Sequence, residues 1–130
     1  MSGLKFLLDT NFLLGMLKSS PAVIEALEVA APRASQCAYS AVTRMELLGF
    51  PGLSADEETL IHSRLDALTY LPIDSTVEDA AISLRRQRRI KLPNAVIAAT
   101  ALTHRLQLLT LDEGLRSVMM ASLGEKTTTP

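Results

Sequence analysis

The sequence predicts an α/β fold with a central, mainly parallel sheet and helices on both faces. Short apolar runs alternate with longer segments of helical periodicity along the whole chain, as in strand–helix–strand units. The first run, residues 4–8, is mostly apolar, which is typical of a strand buried on both faces. No repeat or linker interrupts this pattern. We therefore expect one domain over residues 1–130, with residues 124–130 as a frayed polar tail.

The individual elements follow from apolar periodicity and from boundary residues. Strands are predicted, in order, at residues 4–8, 36–40, 68–73 and 106–110. Helices are predicted at residues 12–17, 21–31, 41–48, 55–65, 75–89, 95–104 and 112–120. Pro21 suits a first helical turn, Pro32 stops the helix, Ser40 is a suitable cap, and Gly49 ends the third helix. The apolar segment 95–104 has no polar face, so we expect a buried helix there.

Composition and charge limit the classes of protein. Hydrophobic residues make up 48% of the chain, enough for a core, and the net charge is −1 with a pI near 6.1. Nucleic-acid binding would therefore need a local basic patch. A lone cysteine, Cys37, fits a reducing cytoplasm. Asp9 interrupts the apolar N-terminus too early for a signal peptide, and no run is long enough for a membrane span, so we expect a cytoplasmic protein.

Four polar residues occupy corresponding places in this layout. Asp9 ends the first strand, Glu46 lies in the helix after the second, Asn94 opens a later helix, and Asp112 follows the fourth strand. Because parallel strands end at a common edge of the sheet, all four are expected to line one cleft. Clustered carboxylates are unfavourable unless a cation neutralises them. Oxygen ligands favour Mg²⁺ or Mn²⁺, either of which can activate water against a phosphodiester.

Each of these residues also has a local interpretation, which the sequence leaves open. Asp9 and Asp112 are good helix N-caps, and Asn94 beside a proline is another. Glu46 stands three residues after Thr43, the spacing of a capping box. The joint interpretation as a metal cleft explains the common placement that four separate caps would leave to coincidence.

A basic run is the second functional signal. Arg85, Arg88 and Arg89 have the spacing of one helix face, and Arg44 lies near the predicted cleft. These arginines are predicted to contact RNA phosphates at the rim of the acidic cleft. The alternative is a solvated helix face whose charge complements the helix dipole.

Four motifs in order resemble the PIN domain, and more narrowly the VapC-type toxins of bacterial type II toxin–antitoxin pairs. They are Leu8-Asp9-Thr10-Asn11, Met45-Glu46-Leu47-Leu48-Gly49, the stretch from Lys91 to Ala101, and Leu109-Thr110-Leu111-Asp112. The resemblance implies a three-layer α/β/α fold, a Mg²⁺- or Mn²⁺-dependent endoribonuclease that forms homodimers, and a VapB-like antitoxin that covers the cleft.

By position, Asp9, Glu46 and Asp112 match the metal-binding acids of that family. Thr110 matches a supporting hydroxyl, and Asn11 matches the polar residue beside the first acid. Asn94 stands where the family usually has aspartate, and an amide supplies neither charge nor a base.

Two functions are compatible with these observations. In the first, the protein is a ribonuclease in which Asp9, Asn94 and Asp112 hold the metal, Glu46 orients the attacking water, and Asn94 weakens or abolishes activity. In the second, it is a non-catalytic module whose acidic edge binds a basic partner peptide or RNA.

Overall fold

Strands and helices alternate along the chain in the predicted order. The computed structural model describes residues 3–128, with side-chain surroundings up to residue 122. The elements are β1 (Phe6–Leu8), α1 (Thr10–Leu17), α2 (Pro21–Ala30), a 3-10 turn (Ala34–Gln36), β2 (Cys37–Ser40), α3 (Ala41–Leu48), α4 (Ala55–Asp66), β3 (Thr69–Leu71), α5 (Ser75–Gln87), α6 (Leu92–His104), β4 (Gln107–Leu109) and α7 (Glu113–Thr128).

The four strands form one parallel sheet in the order β3-β2-β1-β4. Leu7 of the central strand β1 pairs with Ala38 of β2 on one side and with Leu108 of β4 on the other. The carboxyl ends of β1, β2 and β4 therefore lie at one edge, where α1, α3 and α7 begin. This topology brings together residues far apart in sequence.

Helices cover both faces of the sheet, which confirms the predicted three-layer arrangement. On one face, α5, α6 and α7 pack with Leu7 in a core cluster rich in Ala and Val. On the other, α1, α2 and α4 pack with Phe6 and Leu8. The residues of β1 alternate between these two clusters, so this strand is apolar throughout rather than at every second position.

Two helix boundaries differ from the prediction in ways that matter for function. Helix α6 begins at Leu92 with Lys91 as its N-cap, so Asn94 lies inside the first turn and is not a cap. Helix α5 ends at Gln87, and Arg88 already has an extended backbone with φ −146° and ψ 160°. Arg88 and Arg89 therefore do not share a helix face with Arg85, because the backbone leaves the helix before them.

The C-terminal helix is longer than predicted. Helix α7 runs through Thr128, so residues 124–128 continue a helix where we expected a frayed tail, while Thr129 and Pro130 lie outside the described residues. No proline interrupts the chain between residues 113 and 128. Neither α7 nor any other helix within residues 3–128 combines the length and apolar character needed to cross a membrane.

Candidate functional site

A cleft of about 380 Å³ opens at the carboxyl edge of the sheet. The polar residues that line it include all four members of the predicted acidic set and the predicted supporting residue Asn11: Asp9, Asn11, Glu46, Asn94 and Asp112. None of the described residues lining the cleft is Lys, Arg or His. Three carboxylates thus face a common space without a basic side chain to compensate them.

Asp9 is the buried centre of this cleft. Its side chain is only 2% exposed. Its Oδ1 accepts a hydrogen bond from the backbone N–H of Phe12 at 2.8 Å, and its Oδ2 accepts one from the Thr110 hydroxyl. Asp9 is therefore the N-cap of α1 and a lining residue of the cleft at once. The cap interpretation is confirmed for this residue, and the role of Asp9 as a metal ligand stays a prediction.

The electrostatic environment of Asp9 opposes ionisation. Burial raises the pKa of its carboxyl above the ordinary value, and the charges of Asp112 and Glu46 raise it further. The hydrogen bonds from Thr110 and from the Phe12 backbone act against this and lower the pKa. Asp9 therefore senses both other acids, which is the situation a bound cation would relieve.

Thr110 connects the first and last acids of the motif set. Its hydroxyl donates to Asp9 and accepts the backbone N–H of Asp112 at 3.0 Å. Asp112 in turn caps α7, since its Oδ1 accepts the Leu115 N–H at 2.9 Å. No described residue donates to the second carboxylate oxygen of Asp112, which leaves it available at the cleft. The Thr110 hydroxyl thus contacts two of the predicted acids, and its role as a supporting hydroxyl stays a prediction.

Arg116 also stabilises the end of β4, and sequence reasoning missed it. Its Nη2 donates to the backbone oxygen of Thr110 at 2.8 Å. Its Nη1 lies 3.7 Å from a Glu113 carboxylate oxygen, an exposed pair of small energetic value. The only sequence signal was a position one helical turn after the cap Asp112, where a long side chain reaches back toward the strand end.

Glu46 does not belong to a capping box. The N-cap of α3 is Ser40, whose hydroxyl accepts the Thr43 N–H at 3.2 Å, so Glu46 lies beyond the first turn. Its Oε1 instead accepts a hydrogen bond from the Thr10 hydroxyl at 2.6 Å. Thr10 is a second residue that the prediction missed. The signal available was its place between Asp9 and Asn11, both of which were assigned to the site.

The two amides of the cleft have no protein partner in the described part of the chain. Asn94 is half-buried in the first turn of α6, and Asn11 is exposed in the first turn of α1. Neither side-chain amide forms a hydrogen bond with a described side chain or with the described backbone. Their oxygen atoms can therefore serve a ligand in the cleft.

None of the predicted phosphate-binding arginines lines the acidic cleft itself. Arg85 lines a separate groove between α5 and α6, and neither Arg88 nor Arg89 lines the acidic cleft. Arg44 is exposed on α3, where its charge lowers the pKa of Tyr39, although burial raises that pKa overall. Contact of these four arginines with RNA phosphates at the rim of the cleft stays a prediction.

The donor set fits a hydrated hard cation better than a fully protein-ligated one. Among the side chains that the structure describes, up to residue 122, no group of three His, Cys, Asp or Glu residues is arranged to hold a metal ion. As placed, Asp9, Glu46 and Asp112 do not form a joint set of direct ligands. Mg²⁺, however, keeps several waters and needs only one or two protein carboxylates. The oxygen-only lining and its unbalanced charge suit such an ion.

Comparison with known proteins agrees with this geometry. The family model described as PIN domain matches residues 6–119. A toxin–antitoxin complex from Klebsiella pneumoniae has a chain that is 31% identical, with a TM-score of 0.72, over 83% of this chain and 87% of that one. No curated protein matches significantly.

Two further solved structures are similar. FitAcB from Neisseria gonorrhoeae is 28% identical with a TM-score of 0.70, over 88% of this chain and 92% of that one. VapBC from Salmonella typhimurium, in its DNA-bound form, shares the fold at 20% identity and a TM-score of 0.63, over 79% of this chain and 83% of that one. The family match extends from β1 into α7 and includes every residue of the cleft. The chain belongs to the PIN domain family.

Proposed function

We propose that this protein is a Mg²⁺- or Mn²⁺-dependent endoribonuclease and the toxin of a toxin–antitoxin pair. One observation carries the proposal: three carboxylates and two unpartnered amides line one cleft that contains no basic side chain in the described chain. A cation would neutralise the repulsion among these carboxylates and would attract a phosphodiester that the acids alone would repel.

Each residue has a role that follows from its surroundings. Asp9, Asp112 and Asn94 would hold the metal, with Asp9 oriented by Thr110 and Asp112 oriented by its cap position. Glu46 is exposed and carries one oxygen free of described protein partners, so it can accept a proton from an attacking water. When bound, the metal supplies Lewis-acid stabilisation of phosphate charge and a more acidic water.

Asn94 sets the level of activity. Its amide oxygen can ligate a hard cation, but it contributes no negative charge and no base. A change in the surroundings of a metal ligand typically costs about 10–100-fold in affinity or activity, and loss of a ligand charge should cost at least as much. We therefore expect weak metal binding and weak or absent cleavage by the chain as it stands.

The partners are proposed from the similar structures and from the surface. Two of the similar proteins are described as VapBC or as a toxin–antitoxin complex, which supports a VapB-like antitoxin for this chain. A homodimer is supported by apolar side chains exposed on α1 and α2, namely Met16, Ile24 and Val29. We place the activity in the cytoplasm, where RNA substrates occur.

Metal titration and RNA cleavage test the proposal together. Asn94→Asp should bind Mn²⁺ at least about 10-fold more tightly than the parent chain in isothermal titration, and it should cut RNA in Mg²⁺. Asp9→Asn should abolish both the binding of Mn²⁺ and the cleavage of RNA. Asp74→Asn is a matched control, because Asp74 is also a helix N-cap but lies outside the cleft.

The competing function is a non-catalytic module whose acidic cleft receives an arginine of a partner peptide. The unbalanced carboxylates favour it equally, since a guanidinium would neutralise them without metal. The same titration separates the two functions. If Asn94→Asp neither binds Mn²⁺ at millimolar concentration nor cuts RNA with any divalent ion, the ribonuclease proposal is wrong and the binding module remains.

A further inference from the structure

A row of hydroxyl groups leads from the end of β2 to Glu46. The Oγ of Ser40 lies 3.4 Å from the Oγ1 of Thr43, which lies 3.0 Å from the Oγ1 of Thr10. The Thr10 hydroxyl then lies 2.6 Å from Oε1 of Glu46. Ser40 and Thr43 are buried, at 1% and 0% exposure. These buried hydroxyl groups need partners, and this row supplies them.

The direction of donation along this row follows from the number of protons. A carboxylate only accepts, so the single hydroxyl proton of Thr10 must go to Glu46. Thr43 must then donate to Thr10, and Ser40 must donate to Thr43. The Ser40 oxygen is left to accept the Thr43 backbone N–H, as observed at 3.2 Å. All three hydroxyls therefore donate in the same sense, toward Glu46.

The hydrogen bond from Thr10 matters because Glu46 lies between the acidic cleft and a second groove. Its side chain lines both the acidic cleft and a neighbouring apolar groove formed by α1, α3 and α4. It is exposed, and the bond from Thr10 is its one hydrogen bond to a described residue. An exposed glutamate without this bond would distribute among several rotamers. With Oε1 bonded to Thr10, the carboxylate remains beside Asp9.

We infer that Thr10 is a positioning residue that holds Glu46 in one orientation, with Oε2 presented to the cleft. Because Ser40 donates to Thr43 and Thr43 donates to Thr10, the hydroxyl proton of Thr10 is used in the bond to Glu46. The inference rests on the proposed function for its catalytic consequence, but the orientation itself is a property of the metal-free protein. If Thr10 served only to pack α1 against α3, its loss would change stability and leave Glu46 unaffected.

Three substitutions separate these roles. Thr10→Val keeps the shape and removes the hydroxyl, whereas Thr10→Ser keeps the hydroxyl. Thr59→Val is the matched control, since Thr59 is exposed on α4 and, among the described residues, its hydroxyl donates to the carbonyl of Ala55 within the same helix. Each is made in the parent chain and in the Asn94→Asp background.

The first measurement is independent of activity. In the metal-free protein, the Glu46 side-chain carboxyl carbon should show one NMR signal in the parent chain, in Thr10→Ser and in Thr59→Val. In Thr10→Val this signal should shift, because an exposed glutamate that exchanges rapidly among rotamers gives one averaged signal at a different position. An unchanged Glu46 signal in Thr10→Val, with the fold intact by its amide spectrum, would overturn the inference.

The second measurement is RNA cleavage in the Asn94→Asp background. Thr10→Val should lower kcat by about 10–100-fold, the usual effect of removing a hydrogen bond to a residue of a metal site. KM for RNA and the affinity for Mn²⁺ should not change. Thr10→Ser should restore kcat. A fall in Mn²⁺ affinity equal to the fall in kcat would contradict the positioning role, because Thr10 would then act on the metal ligands. If Asn94→Asp cuts no RNA, the proposed function fails, and the NMR measurement alone decides the inference.

Discussion

Replacing Thr110 by valine removes one hydroxyl that serves two acids of the cleft. The hydroxyl donates to Asp9 Oδ2 and accepts the backbone N–H of Asp112. Valine keeps the branched shape at this buried position, so the change is one of hydrogen bonding more than of packing. Thr110→Ser keeps the hydroxyl and is the natural control.

The expected loss of stability follows from the burial of the two partners. A hydrogen bond to a charged group contributes about 1.5–3 kcal/mol, and Asp9 is buried, so water does not readily replace the lost donor. The Asp112 N–H lies nearer to solvent, and its loss adds about 0.5–1 kcal/mol. We expect Thr110→Val to lower the free energy of unfolding by about 2–4 kcal/mol near neutral pH.

The penalty should depend on pH in a defined direction. The pKa of the Asp9 carboxyl is raised above 3.8 in the folded protein. Below pH 3.8 this carboxyl is protonated in both the folded and the unfolded protein, so it opposes folding least there. Stability is lost as the pH rises through the folded pKa. The Thr110 hydrogen bond lowers this pKa, so its removal enlarges the loss. Thr110→Val should therefore be more destabilising at about pH 7.5 than at about pH 3.5.

Urea unfolding followed by circular dichroism measures this directly. The chain has no tryptophan, so far-UV circular dichroism is the suitable signal. The measurements are made in EDTA to exclude metal linkage. Equal destabilisation at both pH values would show that Thr110 does not act through the Asp9 charge. A Thr110→Ser protein as unstable as Thr110→Val would show that packing, not the hydroxyl, matters at this position.

Three further substitutions test the buried charge of Asp9, the packing at Gly15 and the N-cap Asp74. Asp9→Asn should stabilise the metal-free protein near neutral pH, because it removes a buried charge with two acidic neighbours; a lower urea midpoint would contradict this. Gly15→Ala should destabilise by about 1–3 kcal/mol, because the new Cβ would lie 2.3 Å from Cγ2 of the buried Val23. Adding Val23→Ala should reduce the loss of thermal stability that Gly15→Ala causes. An unchanged loss would show that contact with the Val23 side chain is not its cause. Asp74→Ala should cost about 1 kcal/mol in urea unfolding through loss of the α5 cap, and no change would show that water replaces it.

The fold class and the edge of the sheet that carries the candidate site could be predicted from the amino-acid sequence. Apolar periodicity is a local property, so four short strands and their intervening helices were predictable from it. Once the sheet is parallel, its strands must end at one edge, and Asp9 and Asp112 follow two of those ends. Their convergence with Glu46 and Asn94 in one cleft needed no further information.

Only the tertiary structure decided which side chains touch. Thr10 and Glu46 are 36 residues apart, and their hydrogen bond depends on the rotation of α1 relative to α3. The end of α5 at Gln87 removes Arg88 and Arg89 from the helix face that carries Arg85. A rotation of one residue moves a helical side chain by about 100°, which periodicity does not resolve at helix ends. For this reason the cleft could be predicted from the sequence, whereas the orientation of Glu46 could not.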